Sequence, residues 1–144
     1  LIINDRLDIA MAVGAAGVHL GQDDLPCAVA RKLLGEDYII GVSAHNPAEA
    51  KAALQSGADY LGCGAVFGTA TKADVQKLGT DGLAAICREK GLPVVGIGGV
   101  TADNYREVRA AGADGAAIVS GILAQPDIRA TVRAIATVSR EFAK

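Results

Sequence analysis

Short apolar runs alternate with helical patterns along all 144 residues, and this alternation restricts the fold more than any single motif. Residues 1–3, 17–20, 38–42, 60–64, 93–97 and 115–119 read as short buried strands, too brief and too apolar for surface helices. Between them, helical spacing covers 7–13, 26–34, 47–55, 81–90 and 102–111, and a last helix is expected over 127–142. Pro26 and Pro47 stand where a first helical turn has no use for an N–H, and Asn46 and Thr101 are placed as N-caps. A small repeat punctuates the pattern: Gly14-Ala15-Ala16-Gly17, Gly57-Ala58-Asp59-Tyr60 and Gly112-Ala113-Asp114-Gly115 each close a helix and open a strand. The first glycine of each suits the left-handed conformation that ends a helix. Apolar strands alternating with helices imply a parallel sheet covered by helices.

The pattern contains six βα units in what reads as one domain, residues 1–144. A (β/α)₈ TIM barrel has eight and usually runs to about 250 residues, with compact versions near 200. A chain that opens inside a strand, at Leu1, is therefore expected to hold strands three to eight of such a barrel, without the first two βα units. A doubly wound open sheet is the alternative, disfavoured by the lack of GxGxxG after the first strand. In either case the outer strands, 1–3 and 116–119, would offer unpaired edges.

Composition narrows the function. Hydrophobic residues make up 51% but aromatics only 3%, so the core must be Val, Ile, Leu and Ala. A net charge of −2 with scattered basic residues favours neither nucleic acid nor a membrane surface. No apolar run approaches the roughly 18 residues of a membrane span, and no secretory signal is visible. Cys27, Cys63 and Cys87 have no metal-ligand or CxxC spacing and are expected to be reduced, buried thiols of a cytoplasmic protein. A homo-oligomer is compatible with all of this.

In parallel α/β folds, chemistry sits beyond the carboxyl ends of the strands. The first strand ends in Asn4-Asp5 and the second in Gly21-Gln22-Asp23-Asp24. Carboxylates on adjacent strand ends can hold Mg²⁺ while waters and substrate fill its other positions, which makes Asp5 and Asp24 candidate ligands; helix capping is the plainer role for both. Ser43 ends the third strand, where its hydroxyl can meet a diphosphate oxygen or cap the next helix, and His45 is either an acid–base group or a turn residue. The longest loop, 64–79, carries Thr69, Thr71 and Lys72, donors suited to an oxyanion or to a solvated loop. Gly96-Ile97-Gly98-Gly99 and Val119-Ser120-Gly121 close the last two strands, where glycines let backbone N–H groups approach a phosphate.

Taken in order, Ile3-Asn4-Asp5, His19-Leu20-Gly21-Gln22-Asp23-Asp24, Gly41-Val42-Ser43-Ala44-His45, Thr69-Ala70-Thr71-Lys72 and Gly96-Ile97-Gly98-Gly99 resemble the thiamine-phosphate synthase family over essentially the whole chain. The resemblance implies a transferase of thiamine biosynthesis. It joins 4-amino-2-methyl-5-hydroxymethylpyrimidine diphosphate to 4-methyl-5-(2-phosphoethyl)thiazole and releases diphosphate. It implies Asp5 and Asp24 as Mg²⁺ ligands, and Asn4, Ser43 and Lys72 at the diphosphate or pyrimidine. Thr69 and Thr71, with Gly99, Val119 and Ser120, would meet the thiazole phosphate. Lys72 and Ser43 would act on the reacting groups. Two departures stand out: Phe67 occupies a loop where the family commonly has Pro and Tyr, and the family's Gln-x-Arg-x-Lys segment is absent. By itself this polypeptide is expected to catalyse poorly. A related phosphate-binding barrel, such as a thiazole tautomerase or an epimerase, and a non-catalytic fragment are the alternatives; neither needs paired strand-end aspartates.

Overall fold

The computed structural model describes residues 1–68, 77–89 and 91–143. Six strands form one parallel sheet in the order of the sequence: β1 (Ile2–Asn4), β2 (Gly17–Leu20), β3 (Ile39–Ala44), β4 (Tyr60–Cys63), β5 (Val94–Ile97) and β6 (Gly115–Ala117). The helices between them are α1 (Leu7–Ala12), α2 (Cys27–Leu34), α3 (Pro47–Gln55), α4 (Gly79–Arg88) and α5 (Tyr105–Ala110). Two follow the last strand, α6 (Ser120–Leu123) and α7 (Ile128–Glu141). An unbroken β1-to-β6 order has no point at which the winding reverses, so the doubly wound alternative fails. The architecture is an α/β half-barrel, a curled arc of six parallel strands with β1 and β6 outermost.

Side chains alternate across this arc with the period of a strand. One set faces the helices and is sealed: Val18, Ile40, Cys63 and Val94 are 0% exposed, and Leu20 and Leu61 are 1%. The other set, including His19, Ser43, Tyr60 and Ile97, faces a concave cavity. The strands are thus buried on the helix side only; Ile2, Ile39 and Ile97 remain substantially exposed.

Local signals explain most boundaries. Asn46 caps α3 as expected, accepting the Glu49 N–H at 2.9 Å, while Glu49 accepts the His45 N–H at 2.8 Å. Thr101 does not cap α5; Asn104 takes that position, and its Oδ1 accepts the Thr101 N–H at 2.8 Å. Pro26 sits one residue earlier than expected, at the N-cap of α2. Gly14, Gly57 and Gly112 all have positive φ, as the repeat requires. The repeat's aspartates have a further use: Asp59 Oδ2 accepts the Ile40 N–H at 2.7 Å, and Asp114 Oδ2 accepts the Val94 N–H at 2.8 Å. Each carboxylate thereby ties its own strand's entry to a neighbouring strand, and Ala16 replaces it in the first repeat. None of the three cysteines forms a disulfide, but only Cys63 is buried; Cys27 and Cys87 are half-buried on helices. Among the described residues, no helix is long and apolar enough to cross a membrane.

Candidate active site

A cavity of about 450 Å³ opens at the carboxyl ends of the strands on the concave face. Asn4 from β1, Ser43 from β3, Gly99 after β5, and Val119 and Ser120 after β6 all line it. These five sequence-predicted residues, spread over 117 positions, share one space because parallel strands end on the same side. Thr69, Thr71 and Lys72 lie outside the described residues.

Neighbouring segments hold the cavity's rim. Gly98 (φ 93°) and Gly99 (φ 67°) take conformations that L side chains rarely adopt, which turns the chain sharply after β5. Asn104 fixes that turn from behind, since its Nδ2 donates to the Gly99 carbonyl at 3.0 Å. The loop after β4 lies against it, with the Phe67 N–H donating to the Gly98 carbonyl at 3.0 Å. Across the cavity, Gln22 Nε2 donates to the Ser43 carbonyl at 2.6 Å and ties the loop after β2 to the end of β3.

Two polar lining side chains do not stand out as site residues in the sequence, His19 and Tyr60. His19, Gly41 and Tyr60 stand in one row across three paired strands, and Ser43 pairs with Gly62 in the row above. His19 and Tyr60 are two strands apart, about 10 Å of backbone, yet their ring centroids lie only 5.4 Å apart. The glycine between them makes this approach fit: a Cβ on Gly41 would lie 2.1 Å from Tyr60 Cζ. One on Gly62 would lie 2.8 Å from His19 Cε1. The His19 ring bonds Tyr60 Oη through Nδ1 at 3.0 Å and Ser43 Oγ through Nε2 at 3.0 Å. Burial pushes the Tyr60 phenol above its ordinary pKa, so it stays protonated at neutral pH. Glycines inside strands were the available signal, because they mark close approaches of other groups.

His45 also faces the cavity, and its Nδ1 is 2.9 Å from Glu49 Oε2. Burial opposes ionisation of Glu49, but the His45 N–H, the His45 ring and the Asn46 amide together hold its carboxyl below the ordinary range.

The two candidate metal ligands sit at neighbouring strand ends. Asp5 directly follows β1, its N–H donates to the His19 carbonyl at 2.8 Å, and its φ of 63° is the only positive value among the described non-glycine residues. Asp24 lies in the loop after β2, where Oδ2 accepts the Gly21 N–H at 2.6 Å. With Gln22 it lines a second cavity of about 200 Å³, bounded by α2 and α3. Neither residue occupies an N-cap: Arg6 precedes α1 and Pro26 precedes α2, both without a side-chain capping bond. Ser43 does not cap α3 either, since Asn46 does.

A family model described as thiamine monophosphate synthase matches residues 1–122. The thiamine-phosphate synthase of Chloroflexus aurantiacus is 50% identical over 147 aligned residues, covering 99% of this chain and 68% of the relative. That of Ruminiclostridium cellulolyticum is 52% identical over 131 residues, 91% of this chain and 62% of its own length. Among solved structures, thiamine phosphate pyrophosphorylase from Pyrococcus furiosus superposes with a TM-score of 0.89 at 39% identity, covering 99% of this chain and 68% of that one. The chain thus spans 62–68% of the length of these relatives. A family match that runs through all six strands, beside relatives that share about half of its positions, places the chain by descent: it belongs to the thiamine monophosphate synthase family.

Proposed function

We propose that the protein is a thiamine-phosphate synthase, coupling 4-amino-2-methyl-5-hydroxymethylpyrimidine diphosphate to 4-methyl-5-(2-phosphoethyl)thiazole. The observation that carries this reading is the single cavity uniting Asn4, Ser43, Gly99, Val119 and Ser120 in a chain of this family. Asn4 and Ser43 offer an amide and a hydroxyl to the pyrimidine diphosphate, while the rim from Gly99 to Ser120 receives the thiazole phosphate. Thr69 and Thr71 supply further hydroxyls to that phosphate. The C–O bond to diphosphate breaks, the aminopyrimidine bears the methylene cation, and the thiazole nitrogen forms the new C–N bond. Lys72 meets the charge that grows on the departing diphosphate. No protein nucleophile is required, which leaves the three cysteines without a catalytic role.

The carboxylates fit Mg²⁺. Asp24 engages one oxygen with the Gly21 N–H and keeps Oδ1 for a ligand, and Asp5 follows β1, the strand paired with β2. Among the described residues no group of three or more His, Cys, Asp or Glu gathers, and a cation completed mainly by water and phosphate oxygens has no need of one. Mg²⁺ bound there would neutralise charge on the leaving diphosphate.

In the finer architecture we propose, the arc is part of a closed eight-stranded barrel within one domain. The half-exposed Ile2, Ile39 and Ile97 on its concave face would then be covered. Titration calorimetry with diphosphate tests the site. Binding that needs Mg²⁺ and is abolished by Asp24→Ala supports the synthase; binding indifferent to Mg²⁺ favours a phosphate-binding relative and overturns it.

A further inference from the structure

We infer that Tyr60, His19 and Ser43 form a single hydrogen-bonded chain that presents the Ser43 hydroxyl to bound substrate as a donor, which makes Tyr60 and His19 positioning residues for coupling.

The direction of the chain follows from donor and acceptor strengths. A phenol O–H is a better donor than a neutral imidazole N–H, and an unprotonated imidazole nitrogen is a better acceptor than a phenol oxygen. Tyr60 therefore donates to His19 Nδ1 across 3.0 Å. That bond fixes the tautomer with its proton on Nε2, which donates to Ser43 Oγ at 3.0 Å. Ser43 Oγ has then accepted once, and its own proton points away from His19, toward an acceptor in the cavity. A pyrimidine ring nitrogen or a diphosphate oxygen is such an acceptor.

Backbone features hold each member. Gln22 Nε2 donates to the Ser43 carbonyl at 2.6 Å and keeps the end of β3 from drifting. Gly41 and Gly62 open the space over which the Tyr60 and His19 rings lie. The strand pairing sets His19, Gly41 and Tyr60 at one level, so the three groups meet without a loop to position them. Hydrogen bonds joined in series polarise one another, so loss of the distal member weakens the terminal donor.

The kinetic part of this inference rests on the synthase reading, and two measurements separate them. In the coupling assay, Tyr60→Phe keeps the ring and removes the hydroxyl; kcat/KM is expected to fall about tenfold, the scale of one hydrogen bond. In a Ser43→Ala background the same change should have no further effect, because the hydroxyl it serves is gone. An equal loss in both backgrounds, the mark of a merely structural role, or no loss in either, overturns the chain. Nitrogen-15 NMR of the histidine rings reads the tautomer without turnover. His19 should carry its proton on Nε2, and Tyr60→Phe should shift the Nδ1 resonance. A proton on Nδ1 overturns the inference. A protein that includes the Gln-x-Arg-x-Lys segment, lacks coupling activity and still shows this tautomer at His19 would sink the synthase reading but leave the chain standing.

Discussion

Replacing Gly41 with alanine should break the site from inside the sheet. The added Cβ would lie 2.1 Å from Tyr60 Cζ and 2.4 Å from Tyr60 Oη. Carbon atoms pack at about 3.5–4.0 Å, so the Tyr60 ring must retreat by about 1.5 Å. Such a shift carries Oη out of reach of His19 Nδ1, from which it now stands 3.0 Å. Overpacking of this kind costs about 1–3 kcal/mol, and in a domain of this size about 2 kcal/mol lowers Tm by roughly 4–8 °C. Calorimetric melting and the coupling assay check the two consequences: a lower Tm and a rate reduced to that of Tyr60→Phe. A double-mutant cycle with Tyr60→Ser isolates the cause. Once the ring is gone the alanine methyl has room, so an interaction energy of about 1 kcal/mol or more is expected. If Gly41→Ala melts within about 1 °C of the parent, or the two changes add, the steric reasoning is refuted.

Asp59→Ala should cost about 1–3 kcal/mol in urea unfolding, because the Ile40 N–H it accepts is left without its 2.7 Å partner; no change in the transition midpoint would refute that. At Asp5, where φ is 63°, asparagine tolerates the backbone but removes the charge. Asp5→Asn should therefore lose Mg²⁺-dependent diphosphate binding while its Tm stays within about 2 °C, the equivalent of roughly 0.5 kcal/mol. Burial, with smaller contributions from Cys87 and Glu49, pushes the Cys63 thiol up to about 12 from 9.0. Its folded pKa is the higher one, so the stability it lends is whole below pH 9.0 and is lost as pH rises toward 12. Unfolding free energy should decline across that window, and a thiol reagent near neutral pH should modify Cys63 only as fast as the protein opens.

Much of the scaffold is written locally. The pattern of 17–20 and 47–55 coincides with β2 and α3 at both ends; the Gly14 repeat marks the start of β2, and Asn46, Pro47 and the Gly57 repeat bound α3. The short α6 has no signature in the sequence, since four residues hold barely one helical turn and show no apolar period. Candidate residues chosen for standing at strand ends, Asn4, Ser43, Gly99, Val119 and Ser120, do converge on one cavity. That convergence needs only parallel strands, which the alternation itself demands. His19 and Tyr60 meet only through cross-strand register between segments 41 residues apart. Nothing local to either residue announces the partner.

The sequence by itself therefore determined the βα order, the Asn46 cap of α3 and which residues stand at strand ends, since propensity, turn chemistry and periodicity act over a few neighbours. Tertiary structure alone decided the singly wound arc, the use of Asp59 and Asp114 as ties between strands, and the His19–Gly41–Tyr60 row. These are matters of which strand lies beside which and in what register, and they come into being only when distant segments pack.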